Sequence, residues 1–133
     1  MNKYLKTLEL DKILQMLASH ASNAETRRMA LELRPDNDLE RVRYECLKTS
    51  QALELSVQYG TPPFSDFKDV TSSAARAASG AVISLRDLMD IAAMLRQIKG
   101  LADWYAHCEN AETELSYLFS RLQPNEWLLE KLE

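Results

Sequence analysis

Ser84-Leu85-Arg86-Asp87-Leu88-Met89-Asp90-Ile91-Ala92-Ala93-Met94-Leu95-Arg96-Gln97-Ile98 is the stretch that decides the fold. Leu88, Ile91, Leu95 and Ile98, continued by Ala102 and Tyr105, are separated by alternating steps of three and four residues. That spacing places them on one helical face running lengthwise along a partner. Ser84 with Asp87 three residues later is a helix-start signal, because both side chains can accept from free backbone N–H groups. The seam lasts only about two and a half heptads, which favours a packed bundle helix over an independent coiled coil. Leu88, Ile91, Leu95 and Ile98 are therefore expected to be buried.

Upstream of this helix, Thr61-Pro62-Pro63-Phe64-Ser65 must be extended, with Phe64 and Phe67 expected to pack down on the helices. Asp69 is expected to start a short helix through Ala77, which Gly80 stops. Further upstream, Thr7 is a candidate N-cap followed by Glu9 and Asp11, acids suited to the positive end of a helix dipole. Leu10, Ile13, Leu14 and Leu17 then share a face. Ser22 and Glu25 have capping-box spacing for a second helix, which Pro35 closes. Asn37 or Asp38 can cap a long third helix with Leu39, Val42, Cys46, Leu53 and Val57 as its buried stripe, ended by Gly60 as a left-handed C-cap. Downstream, Leu115, Leu118, Phe119 and Leu122 share a face before Pro124. The segment 126–133 starts a helix without a closing signal and is expected to be truncated. No alternating strand pattern appears. The expectation is an all-α, irregular multi-helix bundle, with residues 1–133 forming a single helical domain.

Composition narrows function mainly by exclusion. The chain has 133 residues, 46% hydrophobic and 27% charged, the proportions of an ordinary folded domain. Sixteen basic residues against 20 acidic ones give a net charge of −4. Phosphate recognition is built from Lys and Arg, so this balance argues against a free-standing nucleic-acid module. Cys46 and Cys108 lack CxxC spacing and suggest two partly buried free thiols in a reducing cytoplasm. No signal peptide or membrane span is legible, so a cytoplasmic location without a membrane partner is expected.

Gly60, Gly80 and Gly100 are the three glycines. A phosphate-cradling GxxxxGK[ST] loop needs glycines five apart, and GxGxxG needs them closer still, so neither nucleotide motif is present. His107-Cys108 points two ways on a helix and has no CxxC, HxxxH or HExxH company. His20 suits the C-terminal end of the first helix, where the dipole favours a cation. Asp87/Asp90 and Glu112/Glu114 read as solvated acids, and Asp66 and Asp69 as turn and cap residues. Thus no catalytic, cofactor or metal residue is expected. The one candidate for weak nucleic-acid contact is the adjacent pair Arg27 and Arg28, within a segment where Glu25, Glu32, Asp36, Asp38 and Glu40 interleave with the arginines.

Three blocks in order carry a family resemblance. Thr7-Leu8-Glu9-x-Asp11-Lys12-Ile13 is followed by Ala30-Leu31-Glu32-Leu33-x-Pro35; then comes Glu45 to Ala52; then Pro62-Pro63-Phe64 with Asp69, Arg76-Ala77-x-x-Gly80 and Leu85-x-Asp87-Leu88. From about Leu5 to its end the chain resembles the start of the core and lever region in the MutS family of DNA-handling ATPases, nearest the second bacterial paralogue with its Smr nuclease tail. The resemblance implies a non-catalytic helical support for levers, within a parent that carries an ATPase using ATP and Mg and an endonuclease downstream. It implies as partners the downstream lever and ATPase domains of the same chain, a homodimeric parent, and branched DNA or the ribosome as substrate. The parent's expected roles are mismatch-repair-like DNA handling, suppression of homologous recombination and rescue of stalled ribosomes. The alternative is a free-standing helical protein-interaction adaptor.

Overall fold

The computed structural model describes residues 8–108 and 111–133. Thr7 therefore lies outside the described residues. Among them the secondary structure is seven helices and no strand: α1 Leu10–Ser19, α2 Ala24–Glu32, α3 Leu39–Tyr59, α4 Thr71–Ala78, α5 Leu85–Ala106, α6 Ser116–Phe119 and α7 Glu126–Leu132. The chain forms two compact units, Met1–Asn37 and Asp38–Glu133.

In the first unit α1 packs on α2. Leu14, Ala18 and Ala30 are buried, and the two alanines permit close approach of the backbones. Of the face expected from spacing, only Leu14 is buried; Ile13 and Leu17 are exposed, because a two-helix unit has too little partner surface to cover the whole apolar arc. Glu9 precedes α1 with φ 55°, a left-handed conformation, and its carboxylate pairs with Lys12 at 2.6 Å. The cap of α2 is Asn23, not Ser22. Its side chain accepts from the Thr26 N–H at 2.9 Å, which shifts the start one residue and leaves Glu25 on the first turn. The helix ends at Glu32, and Leu33 turns to extended geometry ahead of Pro35.

In the second unit Asp38 caps α3 by accepting from the N–H groups of Glu40 and Arg41 at 3.1 and 3.2 Å. Leu55 is the buried residue of this helix, with Lys48, Gln51 and Tyr59 half-buried on the same side. The expected stripe lies on the opposite side: Leu39, Val42, Leu53, Val57 and Cys46 are all exposed. Gly60 does have positive φ, 84°, but its ψ of 164° makes it an extended exit and not a left-handed cap.

After Gly60 the chain runs extended beside α5, and α5 holds it by three residues of one face. Trp104 Nε1 donates to the Gly60 carbonyl at 3.1 Å. Gln97 Nε2 donates to the Pro63 carbonyl at 2.6 Å, while its Oε1 accepts from the Ser65 N–H at 2.8 Å and from the Ser65 hydroxyl. Gly100 lies between them, and a Cβ there would stand 3.6 Å from Pro63 Cγ. Gln97 is buried because this segment saturates its amide. Phe64 is exposed and Phe67 half-buried, since backbone groups, not the first phenyl ring, fasten the segment.

The α5 start carries the full capping box: Ser84 Oγ accepts from the Asp87 N–H at 3.2 Å, and Asp87 Oδ2 accepts from the Ser84 N–H at 3.0 Å. The other Asp87 oxygen accepts from Ser73 Oγ at 2.6 Å and Arg76 at 2.9 Å, which ties α4 to α5. Helix α4 begins at Thr71, with Asp69 accepting from the Thr71 N–H, and Gly80 follows its end with φ 78°. The α5 seam is only half-buried at Leu88, Ile91, Leu95 and Ile98; Ala92 and Gln97 are its buried positions. The partners, α6 and α7, are short, so the seam is only partly covered. Asn125 caps α7, and Lys99–Glu126 and Arg96–Glu133 join α5 to it. The expected helix through Leu122 is limited to Ser116–Phe119, where Phe119 stacks on Tyr105 at 4.1 Å between ring centres.

Two measurements follow from these contacts. Gln97→Ala is expected to cost about 1–3 kcal/mol in urea unfolding, because it orphans the Ser65 donor and the Pro63 acceptor together. The Asp87 carboxyl is held below the ordinary carboxylate range, first by the Ser73 and Ser84 hydroxyls and then by Arg76. A depressed folded pKa gives stability that is complete above the unfolded value of about 3.9 and lost as pH falls below it. The thermal midpoint should therefore fall on acidification below about pH 4, and Asp87→Asn should remove that part of the slope.

Candidate interaction surface

Among the described residues, several of the groups that could have carried chemistry are engaged locally. His107 closes α5, with Nδ1 2.6 Å from the Asp103 carbonyl. Cys108 beside it is 1% exposed, its thiol near the Trp104 carbonyl, and burial pushes the thiol pKa up. That is the opposite of what an activated nucleophile needs. Cys46 is exposed on α3, so the two thiols are not alike. His20 is the C-cap residue of α1. Asp87 is occupied by four donors, and Asp90 faces Lys68 at 3.4 Å. Asp69 is lowered by the Thr71 hydroxyl and N–H, as a turn acid should be. Among the described residues no group of His, Cys, Asp and Glu is arranged to hold a metal ion.

Arg27 and Arg28 are exposed on α2 but do not form a cationic pair facing solvent together. Arg27 Nε donates to the Ala21 carbonyl at 3.2 Å and fastens the α1–α2 turn. Arg28 is clasped between Glu25 and Glu32, with Nη1 2.9 Å from Glu32, and both carboxylates, Glu25 first, raise its pKa. Arg34 turns back to the Leu33 carbonyl at 2.9 Å, at the negative end of α2. A phosphate approaching Arg28 would meet the two carboxylates, Glu25 and Glu32, that already flank it.

What the surface does offer is apolar. Leu17, Ala21, Met29, Ala30 and Leu33, with His20 and Thr26, line an open groove of about 370 Å3 within the first unit. In the second unit the α3 stripe runs from Leu39 to Val57, with Leu39 58%, Leu53 66% and Val57 78% exposed. Scattered exposed leucines are normal, but a row repeating along one helix is not. The sequence did contain the row; it misassigned the side. The missed signal is the second row, Lys48, Gln51, Leu55 and Tyr59, which has the same spacing and includes the buried Leu55 and the half-buried Gln51. Gln51 Oε1 accepts from the Glu114 N–H at 2.8 Å, and the Lys48 ammonium sits 4.9 Å from the Tyr44 ring centre.

No protein-family model matches the chain, and no solved structure matches it. Curated relatives do. Endonuclease MutS2 of Clostridium perfringens (strain SM101) is 31% identical over 111 residues, 84% of this chain and 14% of that protein. Endonuclease MutS2 of Acetivibrio thermocellus is 33% identical over 120 residues, 90% of this chain and 15% of that protein. Endonuclease MutS2 of Lachnospira eligens is 33% identical over 109 residues, 82% and 14%. The chain thus spans 14–15% of the length of the curated relatives it matches.

The thiols give this surface a simple check. A colorimetric thiol reagent should modify Cys46 rapidly in the native protein and Cys108 only after denaturation. Two fast thiols in the native state would contradict the burial of Cys108.

Proposed function

Since this chain is a MutS-family sequence related to the MutS2 endonucleases, we propose that it is a non-catalytic helical element of such a protein, supporting the levers that join a substrate-gripping region to an ATPase. The observation that carries this is the ordered match over 82–90% of the chain to proteins of which it forms 14–15%. The geometry is in keeping with it: Asp38, Asp69, Asp87 and His107 serve caps and turns, and α3 carries an exposed apolar row.

On this proposal ATP, Mg and the nuclease chemistry belong to the parent, and the partners are its lever and ATPase domains. The parent is a cytoplasmic homodimer acting on branched DNA or on ribosomes, in suppression of homologous recombination or rescue of stalled ribosomes. Among the described residues no helix is long and apolar enough to cross a membrane. A second reading, a free-standing helical adaptor, draws support from the exposed α3 row. The two are separated by the gene: a phosphate-binding loop encoded in the same reading frame favours the first, and its absence the second.

The purified chain should neither bind nor hydrolyse Mg-ATP in calorimetry and phosphate-release assays. It should bind branched DNA weakly or not at all at ~150 mM salt in fluorescence anisotropy, with residual low-salt binding reduced by Arg27→Ala/Arg28→Ala. Micromolar ATP affinity, or DNA binding below about 1 μM at that salt, well above ordinary non-specific strength, would overturn the proposal.

A further inference from the structure

Gln97 and Trp104 meet the chain after Gly60 through hydrogen bonds to its main chain, with the Ser65 hydroxyl as the one side-chain donor. The Gln97 carboxamide donates to the Pro63 carbonyl and accepts from the Ser65 N–H, so it brackets Phe64 as a neighbouring strand in a parallel ladder would. Trp104 stands two turns further along α5, about 10 Å away, and takes the Gly60 carbonyl. Side chains add little to this attachment. Thr61, Pro63, Phe64, Ser65 and Asp66 are exposed, and Pro62 and Phe67 are half-buried. A segment fastened by hydrogen bonds, with little apolar burial, has the marks of a region that opens ahead of its surroundings.

The two ends of the segment are held independently of it. Leu55, five residues before Gly60, is buried on α3. Beyond Phe67, Lys68 reaches Asp90 at 3.4 Å and Asp69 accepts from the Thr71 N–H at the start of α4. Residues 60–67 can therefore leave α5 without dislodging these anchors. The holds within the segment are not separable. Once Gln97 lets go of Pro63 and Ser65, a single hydrogen bond of ordinary net strength at Gly60 cannot offset the backbone entropy of ordering the residues between.

We propose that residues 60–67 are a strap that leaves α5 as one unit, with Gln97 as its catch, while α3, α4 and α5 stay folded. Closed, it fixes the end of α3 to α5. Open, it bares the Gln97 amide and the Trp104 indole N–H, two groups set to read the main chain of an extended segment. The step is all-or-none, so the closed joint does not lengthen by degrees. The strap is a property of the chain's own fold and stands apart from the proposed support role.

Hydrogen exchange of the intact chain, followed by NMR, tests it. The Ser65 N–H and the Trp104 indole N–H should share one opening constant. Their protection should be roughly 100-fold, as three hydrogen bonds of ordinary net strength supply. Interior α5 amides should be protected at least tenfold more. Gln97→Ala should speed exchange of the Trp104 indole N–H tenfold or more, although it lies seven positions away. Trp104→Phe should in return speed exchange at Ser65, because coupling is reciprocal. Ser65→Pro removes the donors from the strap side and leaves α5 unaltered, so it carries the test if Gln97→Ala disturbs folding. Different opening constants for the two protons, an indole N–H indifferent to both Gln97→Ala and Ser65→Pro, or exchange of both protons only at the rate of the α5 amides would each overturn the proposal.

Discussion

The larger unit depends on one carboxylate. Asp87 closes the start of α5 and, with its other oxygen, anchors Ser73 and Arg76 of α4. The same group therefore fixes where the longest helix begins and where the preceding helix docks. Local and tertiary structure are coupled through four donors on two oxygens. A carboxylate so surrounded is easier to keep ionised than to protonate, and its negative charge also sits at the positive end of α5.

This coupling explains which parts of the fold were legible in the sequence. Caps depend on residues a few positions apart, so the Ser84–Asp87 box could be read directly and the α3 cap to within one residue, Asn37 or Asp38. The same logic failed by one residue at Asn23, where an adjacent serine offered an equivalent pattern and only the geometry of the turn chose between them. Periodicity could say which residues of α3 share a face, but not which of two faces meets protein. Leu39 to Val57 is the more apolar row and was expected inside. The less apolar row is the one used: Leu55 is buried there and Gln51 reaches a specific partner at the Glu114 N–H. The Gln97 clamp was invisible for a related reason: nothing local to Gln97 announces a segment more than 30 positions upstream.

The candidate site was legible chiefly as an absence. Without close-set glycines or paired metal ligands, the sequence could exclude the phosphate-loop and zinc motifs it was tested for, and the structure adds what occupies the remaining polar groups. Arg28 is the instructive case. Its place beside Arg27 suggests a cationic patch, but the helix periodicity that brings Glu25 and Glu32 to either side of it has the opposite electrostatic result. Adjacent like charges in sequence are poor guides to surface potential when carboxylates stand three and four residues away.

The segment after Gly60 has a mechanical meaning beyond its hydrogen bonds. A chain leaving a helix through glycine and proline would ordinarily be slack, absorbing any movement of the helix in its own dihedral angles. Here Trp104 holds its first carbonyl and Gln97 holds it again at Pro63 and Ser65, so little free length remains. A pull on the C-terminal end of α3 would reach the middle of α5 almost undamped. The joint between the two longest helices behaves as a stiff coupling, and the compliance of this unit must lie elsewhere.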